Sequence, residues 1–440
     1  MFPPNLPILE EVVGAWRRGE AIRRKRRRLM QHTYGDQWSD LTETADGTVV
    51  TEHDKAVRSG MRPHTNNLLR ALIKSVVGRF RFNISQLPAH TDEKLRRLYS
   101  DNFLSELDAR ALEEYLISGC VIQKVIYETR PVCGTGVWVD NVSPDSFFCN
   151  RFLDPRGSDI RLIGMTHDMS VEEIKLRFGR HSSRHCAALE RACRELAGRE
   201  DSSRFFPSYD AKLESGLKKP LDTTRIRVIE AWTYDINRTD PYLDPHWHCR
   251  FLLPDGRVIA ESRSPLPAGS HPFAVKFYPL TDGEIHPFIE DLVSQQKHIN
   301  TLITTIDQIL ANSAKGVLLV PSDALAPGFS IEQVAEIWSR PGGVIPIKAG
   351  ATAKPSEIIS AGGSEGVARL LDIEMRLFQN ISGVTAALQG QVSGSNMSAS
   401  LYESQVYNSA IALLDIYESF NSFREMRDRV ALDAFNTISQ

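Results

Sequence analysis

The sequence has no run of about 18 consecutive apolar residues, the length a membrane-spanning helix needs. Its first residues, MFPPNLPILEEV, also lack the charged-then-apolar order of a secretory signal. No passage across or into a membrane is expected. Cysteine is sparse: Cys120, Cys133, Cys149, Cys186, Cys193 and Cys249 are six among 440 residues, with no CxxC or other ligand-like spacing. That scatter argues against a disulfide framework and suits free thiols in a reducing, cytosolic setting. Excess charge of one sign is missing too. Lys+Arg 52 against Asp+Glu 55 gives a formal net charge of -3, which excludes a whole-surface polycation of the histone kind. Any nucleic-acid contact must therefore be local. What is plentiful is apolar content: 42% hydrophobic residues over 440 positions are enough for buried cores in about three structural units.

The chemistry-bearing motifs are mostly absent as well. There is no GxxxxGK[ST], and Gly134-Thr135-Gly136 is too short for a dinucleotide fingerprint. Ser393, in GQVSG, is not placed midway between glycines as a nucleophile elbow requires. His246 and His248 would face the same side of a strand, but no second cluster supplies a third or fourth zinc ligand. His181 and His185 stand four apart without the acid of HExxH between them. Asp and Glu are spread evenly, with no acidic cluster for two divalent ions. No catalytic residue, metal or cofactor is expected.

Charge is concentrated in one place. Eight of residues 17–28 are basic, namely Arg17, Arg18, Arg23, Arg24, Lys25, Arg26, Arg27 and Arg28, with Glu20 the only acid among them. The spacing of Ile8, Val12, Trp16 and Ile22 makes residues 8–30 one helix with a strong local positive field. Such a helix attracts polyanions or meets acids on a neighbouring subunit.

Beyond it, Leu68, Leu69, Leu72, Ile73, Val76, Val77 and Phe80 form one buried helical stripe. A second helix should start at Thr91-Asp92-Glu93 and stop at Gly119. Two strands follow, CVIQKVIYE and VWVDNV, then an irregular stretch broken by Pro144 and Pro155, and a helix capped at Met169-Ser170. Residues 181–224 read as a boundary, with a helix over 187–196. RIRVIEAWTYD and a hairpin turning at Asp255-Gly256 make a small β unit of about 60 residues. From Ile285 an apolar stripe runs about 30 residues, a helix about 45 Å long if unbroken. A short strand, GVLLVP, a turn at Gly342-Gly343, and a helix carrying Val367, Leu370, Leu371, Leu377, Phe378 and Ile381 come next. After a Gly/Ser segment, Ser400 and Glu403 have capping-box spacing for the last helix. The fold class is α+β, mainly α.

Several of these stretches resemble, in order, the portal proteins of tailed phages of the podovirus, P22-like type. VDNVSPDSFFCNRFLDPRGSDIRLIGMTHDMSVEEIKLRFG resembles their strand, V-x-P-x-x-F element, D-P turn and M-S-x-E-E-I helix closing on Phe-Gly. RVIEAWTYD is similar to the strand that follows. HPFIEDLVSQQKHINTLITTIDQIL is similar to their long helix with its D-L-x-x-x-Q-x-x-I-N pattern, and ISGVTAALQGQVSGSNMSASLYESQVYNSA resembles a later segment. The likeness covers the chain from about residue 66 onward.

The resemblance implies a dodecameric ring at one capsid vertex, conduit for duplex DNA packaged by terminase and later ejected. Its partners would be other copies of itself, DNA, terminase, major capsid protein, scaffold and a tail adaptor. Its location would be the virion, after assembly in the host cytoplasm. Mapped onto this chain, 1–200 and 317–395 would be wing and tunnel-proximal segment, 225–284 a β-rich clip, 285–316 the stem helix and 396–440 a crown helix. His246, His248, Asp255 and Gly256 would then meet terminase or adaptor, and the 17–28 cluster DNA or capsid. Family portals are often much longer, with an extended C-terminal barrel, and this sequence departs from that pattern in having one last helix, which leaves a barrel function open. The rival readings are a nucleic-acid-processing enzyme such as a nuclease, and a non-portal helical adaptor or scaffold.

Overall fold

The computed structural model describes residues 2–86, 88, 90–179, 182–200, 217, 222, 224–235, 246–266, 270–313, 317–321, 324–326, 328–339, 344–348, 356–358, 364–384 and 411–438. Ser393, the Ser400/Glu403 pair, Gly342-Gly343 and His181 lie outside the described residues. The chain begins with α1 (Leu6–Arg18), α2 (Glu20–Tyr34), β1 (Leu41–Glu43), β2 (Val49–Thr51), α3 (Glu52–Arg58), α4 (Leu68–Ser85), α5 (Glu93–Asp101) and α6 (Leu104–Ser118). Then come β3 (Cys120–Arg130), β4 (Gly134–Asn141), β5 (Phe147–Cys149), β6 (Leu162–Met169), α7 (Val171–Phe178), α8 (Ser183–Glu200), β7 (Ile226–Asp235), β8 (His246–Leu252), β9 (Val258–Arg263) and β10 (Phe273–Phe277). The remainder is β11 (Leu280–Thr281), β12 (Glu284–Ile285), α9 (Val293–Ser313), β13 (Val317–Leu319), α10 (Ile331–Ser339), β14 (Ser356–Ile358), α11 (Ser364–Ser382) and α12 (Leu414–Ile438). About half of the described residues are helical, so the fold is mixed α and β. It divides into two compact units: Met1–Gly35, Asn67–Val293 and Asn380–Gln440 form the first, and Asp36–Asn66 with Ser294–Gln379 the second.

The first unit is built on two antiparallel sheets, ordered β10-β3-β4 and β5-β6-β7-β8-β9. β7 is the central strand of the larger sheet and almost wholly buried, because both of its faces are covered. On one face Ile229 and Ala231 pack with Phe148, Leu162 and Leu252 against Leu9, Val12, Ala15 and Trp16 of α1. On the other, Trp232 joins Ile163, Trp247 and Cys249 against Cys120, Ile122, Phe273 and Val275 of the smaller sheet. Val228 meets Ile174, Phe178, Leu189 and Cys193 of α7 and α8. The far face of the smaller sheet, through Val125, Val137 and Val139, packs on Leu98, Leu104, Ala431 and Ala434.

The second unit is organised along α9, whose Gln296, Asn300 and Thr304 lie four residues apart and are all buried. Gln296 Nε2 donates to the Asn66 carbonyl (2.6 Å), Asn300 Oδ1 accepts from Asn66 N–H (3.0 Å), and Thr304 Oγ1 accepts from His64 N–H (3.0 Å). Residues 36–66 are thus fastened to the helix by side chains acting as strand partners for an irregular backbone. Lys297 adds ion pairs to Asp40 (2.9 Å) and Glu52 (2.6 Å).

Four expectations change. The 8–30 helix is broken at Gly19: Arg23 folds back and donates to the Trp16 carbonyl, the oxygen that Glu20 N–H would use in an unbroken helix. The helix expected up to Gly119 turns at Phe103 (φ 48°), because Asn102 bonds the carbonyls of Leu98 and Val137 (3.0 Å each) and accepts from Val139 N–H (2.8 Å). The long helix begins at Val293, not Ile285, which pairs with Leu280 in a two-strand ladder ahead of Pro287. Its 21 residues span about 31 Å rather than about 45 Å. The β unit over 225–284 does not stand alone, since β7 to β9 continue the sheet of β5 and β6 and β10 pairs with β3. The final helix packs into the first unit, where Phe420, Phe423, Arg427 and Ala431 are fully buried.

Candidate contact surfaces

The basic cluster splits into an inward and an outward arc. Arg23 is 2% exposed, lies 3.9 Å over the Trp16 ring and pairs with Glu20 at 3.2 Å; burial lowers its pKa from the ordinary value. Lys25 bonds Glu290 (2.9 Å) and the Ile285 carbonyl (3.1 Å). Arg26 makes a fork to Glu114 (2.7 and 2.8 Å) and a bond to Asp145 (2.7 Å); burial works against its charge, and these acids raise its pKa all the same. These three hold α2 onto its own unit. Arg17, Arg18, Arg24, Arg27 and Arg28 are exposed, with Arg27 pairing with Glu20 at 3.2 Å. A run of like charges in the sequence becomes, in the structure, three anchors and a five-residue surface arc.

The four residues expected in a clip contact lie together only in pairs. His246 and His248 share a hydrogen bond between their Nε2 atoms (2.6 Å) on β8, one strand in from the β9 edge. Burial depresses the His248 pKa, with Arg250 and His246 adding to the effect against Asp235 and Glu261. Asp255 is taken up by Arg257 (2.7 Å), and Gly256, buried and at φ +86°, accepts from Asn5 N–H (2.9 Å) beneath Leu6 and Leu9. Gly256 is therefore covered by the start of α1, while Asp255 stays half-buried beside it.

Beside α1 and α2 lies a largely apolar cavity of about 300 Å³ lined by Ile22, Cys120, Phe147, Cys149, Phe152 and Phe277. Burial pushes the Cys120 and Cys149 thiols up to about 12, so at neutral pH they are protonated packing groups. Among the described residues no group of three His, Cys, Asp or Glu is placed to hold a metal ion.

Sequence reasoning missed the buried ionic clusters, which no linear spacing announces. Glu230, 1% exposed, receives Lys124 Nζ at 2.6 and 2.7 Å, Trp232 Nε1 at 2.7 Å and pairs with His167 at 2.6 Å. Burial alone would raise its pKa; Lys124 and then His167 overcome that and hold it well below the usual carboxylate range. This group joins the two sheets at the centre of the first unit. Arg427, fully buried on α12, pairs with Asp108 of α6, Asp428 (2.8 Å) and Tyr99 of α5 (2.8 Å), while Arg424 reaches Asp108 at 2.9 Å. Both clusters are fully hydrogen-bonded structural clamps. No helix among the described residues is long and apolar enough to cross a membrane.

The architecture is thus held by internal clamps, and the outward part of the basic cluster forms one exposed arc. No curated protein matches the chain. Residues 140–439 match the model of the Phage P22-like portal protein family, a family of structural rather than enzymatic proteins found in the phage capsid, and the chain belongs to that family.

Proposed function

We propose that this chain is the repeating subunit of a ring at one capsid vertex, the conduit for DNA packaging by terminase and for genome ejection, and the attachment point for a tail adaptor. The observation that carries this reading is the family match over residues 140–439. A ring needs head-to-tail surfaces whose rotation closes, and twelve copies are the expected number for this family. Duplex DNA must slide, so the channel wall should avoid tight cationic binding. The exposed arc Arg17, Arg18, Arg24, Arg27 and Arg28 is accordingly assigned to packaged DNA or the capsid shell, away from the lumen.

The first unit, with its two clamped sheets, suits the wing. The stem and clip are better sought in the second unit than in residues 225–284. There α9 and α11 flank a short insert whose strands pair antiparallel, Val317 with Ile358 and Leu319 with Ser356. In chain order one helix precedes this insert and another follows it, as a stem capped by a contact module requires. Residues 317–358 are thereby the proposed terminase and adaptor contact. Negative-stain imaging of the purified full chain tests the function: rings with a central hole wide enough for duplex DNA support it, and small asymmetric particles refute it.

A further inference from the structure

The apolar residues of α11 do not share one environment. Phe378 is 6% exposed, whereas Leu370, Ile373 and Leu377 are 39%, 52% and 41% exposed. These three stand at i, i+3 and i+7, within about 60° of the helix circumference. Large apolar side chains aligned in this way on a single helix are a seam awaiting a partner helix or face.

The charges beside the seam say what kind of partner. Arg369 and Arg376 lie along one flank, beyond Ile373, and Glu374 lies along the other, beyond Leu370. In a pair of antiparallel copies related by a two-fold axis, each flank faces its own equivalent, which sets Arg against Arg and Glu against Glu. In copies related by rotation about a common axis the helices run parallel, and the Glu374 flank of one meets the Arg369 and Arg376 flank of the next. The offset agrees, since Arg369 and Glu374 are five residues apart, the separation over which flanking charges meet between parallel helices.

We infer that the Leu370–Ile373–Leu377 seam of α11 is a subunit interface occupied by a neighbouring copy of this chain in parallel, head-to-tail arrangement, with Glu374 of each copy facing the arginine flank of the next. This rests on the ring reading and adds which surface closes the ring and with what polarity. The flanks select against the antiparallel two-fold dimer that the same seam would otherwise allow, because like charges brought together in that arrangement repel.

The test uses the full chain, with assembly followed by mass photometry and negative stain over a range of concentrations. R369E/R376E should raise the concentration at half assembly by about tenfold or more. Adding E374R to that variant reverses both flanks, so opposite signs meet again, and assembly should return to within about threefold of the unmodified protein. I373D should lose rings while its circular dichroism and melting temperature stay unchanged. If R369E/R376E assembles normally, or if E374R makes it worse, the interface is overturned while the ring stands. If the unmodified chain forms no ring at all, the ring reading itself falls.

Discussion

Replacing Lys124 by Met removes the cation from the centre of the first unit while keeping its length and apolar stem. Glu230 would then be a carboxylate, 1% exposed, retaining only Trp232 Nε1 at 2.7 Å and His167 at 2.6 Å. Breaking a buried pair by removing one partner costs about 3–5 kcal/mol, because the charge left behind is uncompensated. Replacing both, K124M/E230Q, leaves no buried charge and should lie within about 2 kcal/mol of the original, so the double-mutant cycle should show a coupling of several kcal/mol. Urea unfolding read by tryptophan emission measures this directly, since Trp232 bonds Glu230. The pH dependence follows with a definite sign. Glu230 is held below its ordinary carboxylate pKa of 4.5, so its contribution is fully present above that value and is lost as pH falls through the folded pKa. The stability gap between the original chain and K124M should therefore shrink as pH drops below about 4.5. A cost under about 1 kcal/mol for K124M, or additive single and double changes, would refute the reasoning.

Gly119 sits at φ +69°, where an added Cβ would lie 2.4 Å from Ile285 Cγ2 and 2.9 Å from the Tyr278 carbonyl oxygen; G119A should cost about 3 kcal/mol, seen as a lower urea midpoint. N300A removes the acceptor for Asn66 N–H and should cost about 1–3 kcal/mol, read as faster proteolysis within residues 36–66. R26A, which strips the fork to Glu114 and the bond to Asp145, should lower the melting temperature by several degrees, whereas exposed R24A should leave it unchanged; equal effects would contradict the division of the cluster. If the outer arc meets duplex DNA, its five arginines limit the salt slope of log K to about −4.5, against about −7 for all eight cations; anisotropy titrations across salt concentrations distinguish the two.

How much of this was visible in the sequence varies with the range of the interaction. The α7 helix was legible because its start is local: Ser170 Oγ accepts from Glu173 N–H and the Glu173 carboxylate accepts from Ser170 N–H. The β8–β9 hairpin was legible for the same reason, its turn needing a glycine at positive φ. The strand content of residues 225–284 was legible but its membership was not, since pairing of β6 with β7 joins positions about 60 residues apart and nothing in either strand names its partner. The basic cluster shows the same limit. Periodicity located its residues on a helix, but Glu114, Asp145 and Glu290, which neutralise its inner arc, come from three remote segments. On α11 the helical period was legible but the split between buried Phe378 and exposed Leu370, Ile373 and Leu377 was not, because an exposed apolar residue has the same spacing as one facing the core.

Among the described residues, three of the patterns that carry the family resemblance hold interior fasteners. In the V-x-P-x-x-F element Val142 and Phe147 are buried and Asp145 receives Arg26. In M-S-x-E-E-I the Ser and second Glu close the capping box and Ile174 is fully buried. In D-L-x-x-x-Q-x-x-I-N the Gln and Asn are Gln296 and Asn300, which fasten residues 36–66 to α9, with Ile299 buried between them. Each pattern keeps its spacing because it satisfies a backbone group or fills a core position at a fixed helical or turn geometry. None of them needs to touch a partner. A protein that works by assembling has its chemistry spread over broad surfaces, where many side chains of the right polarity serve equally well and no short spacing is enforced. That is why such a sequence can declare its fold through buried polar residues while the surfaces proposed to meet partners, the outer arginine arc and the α11 seam, become distinguishable only once burial and exposure are known.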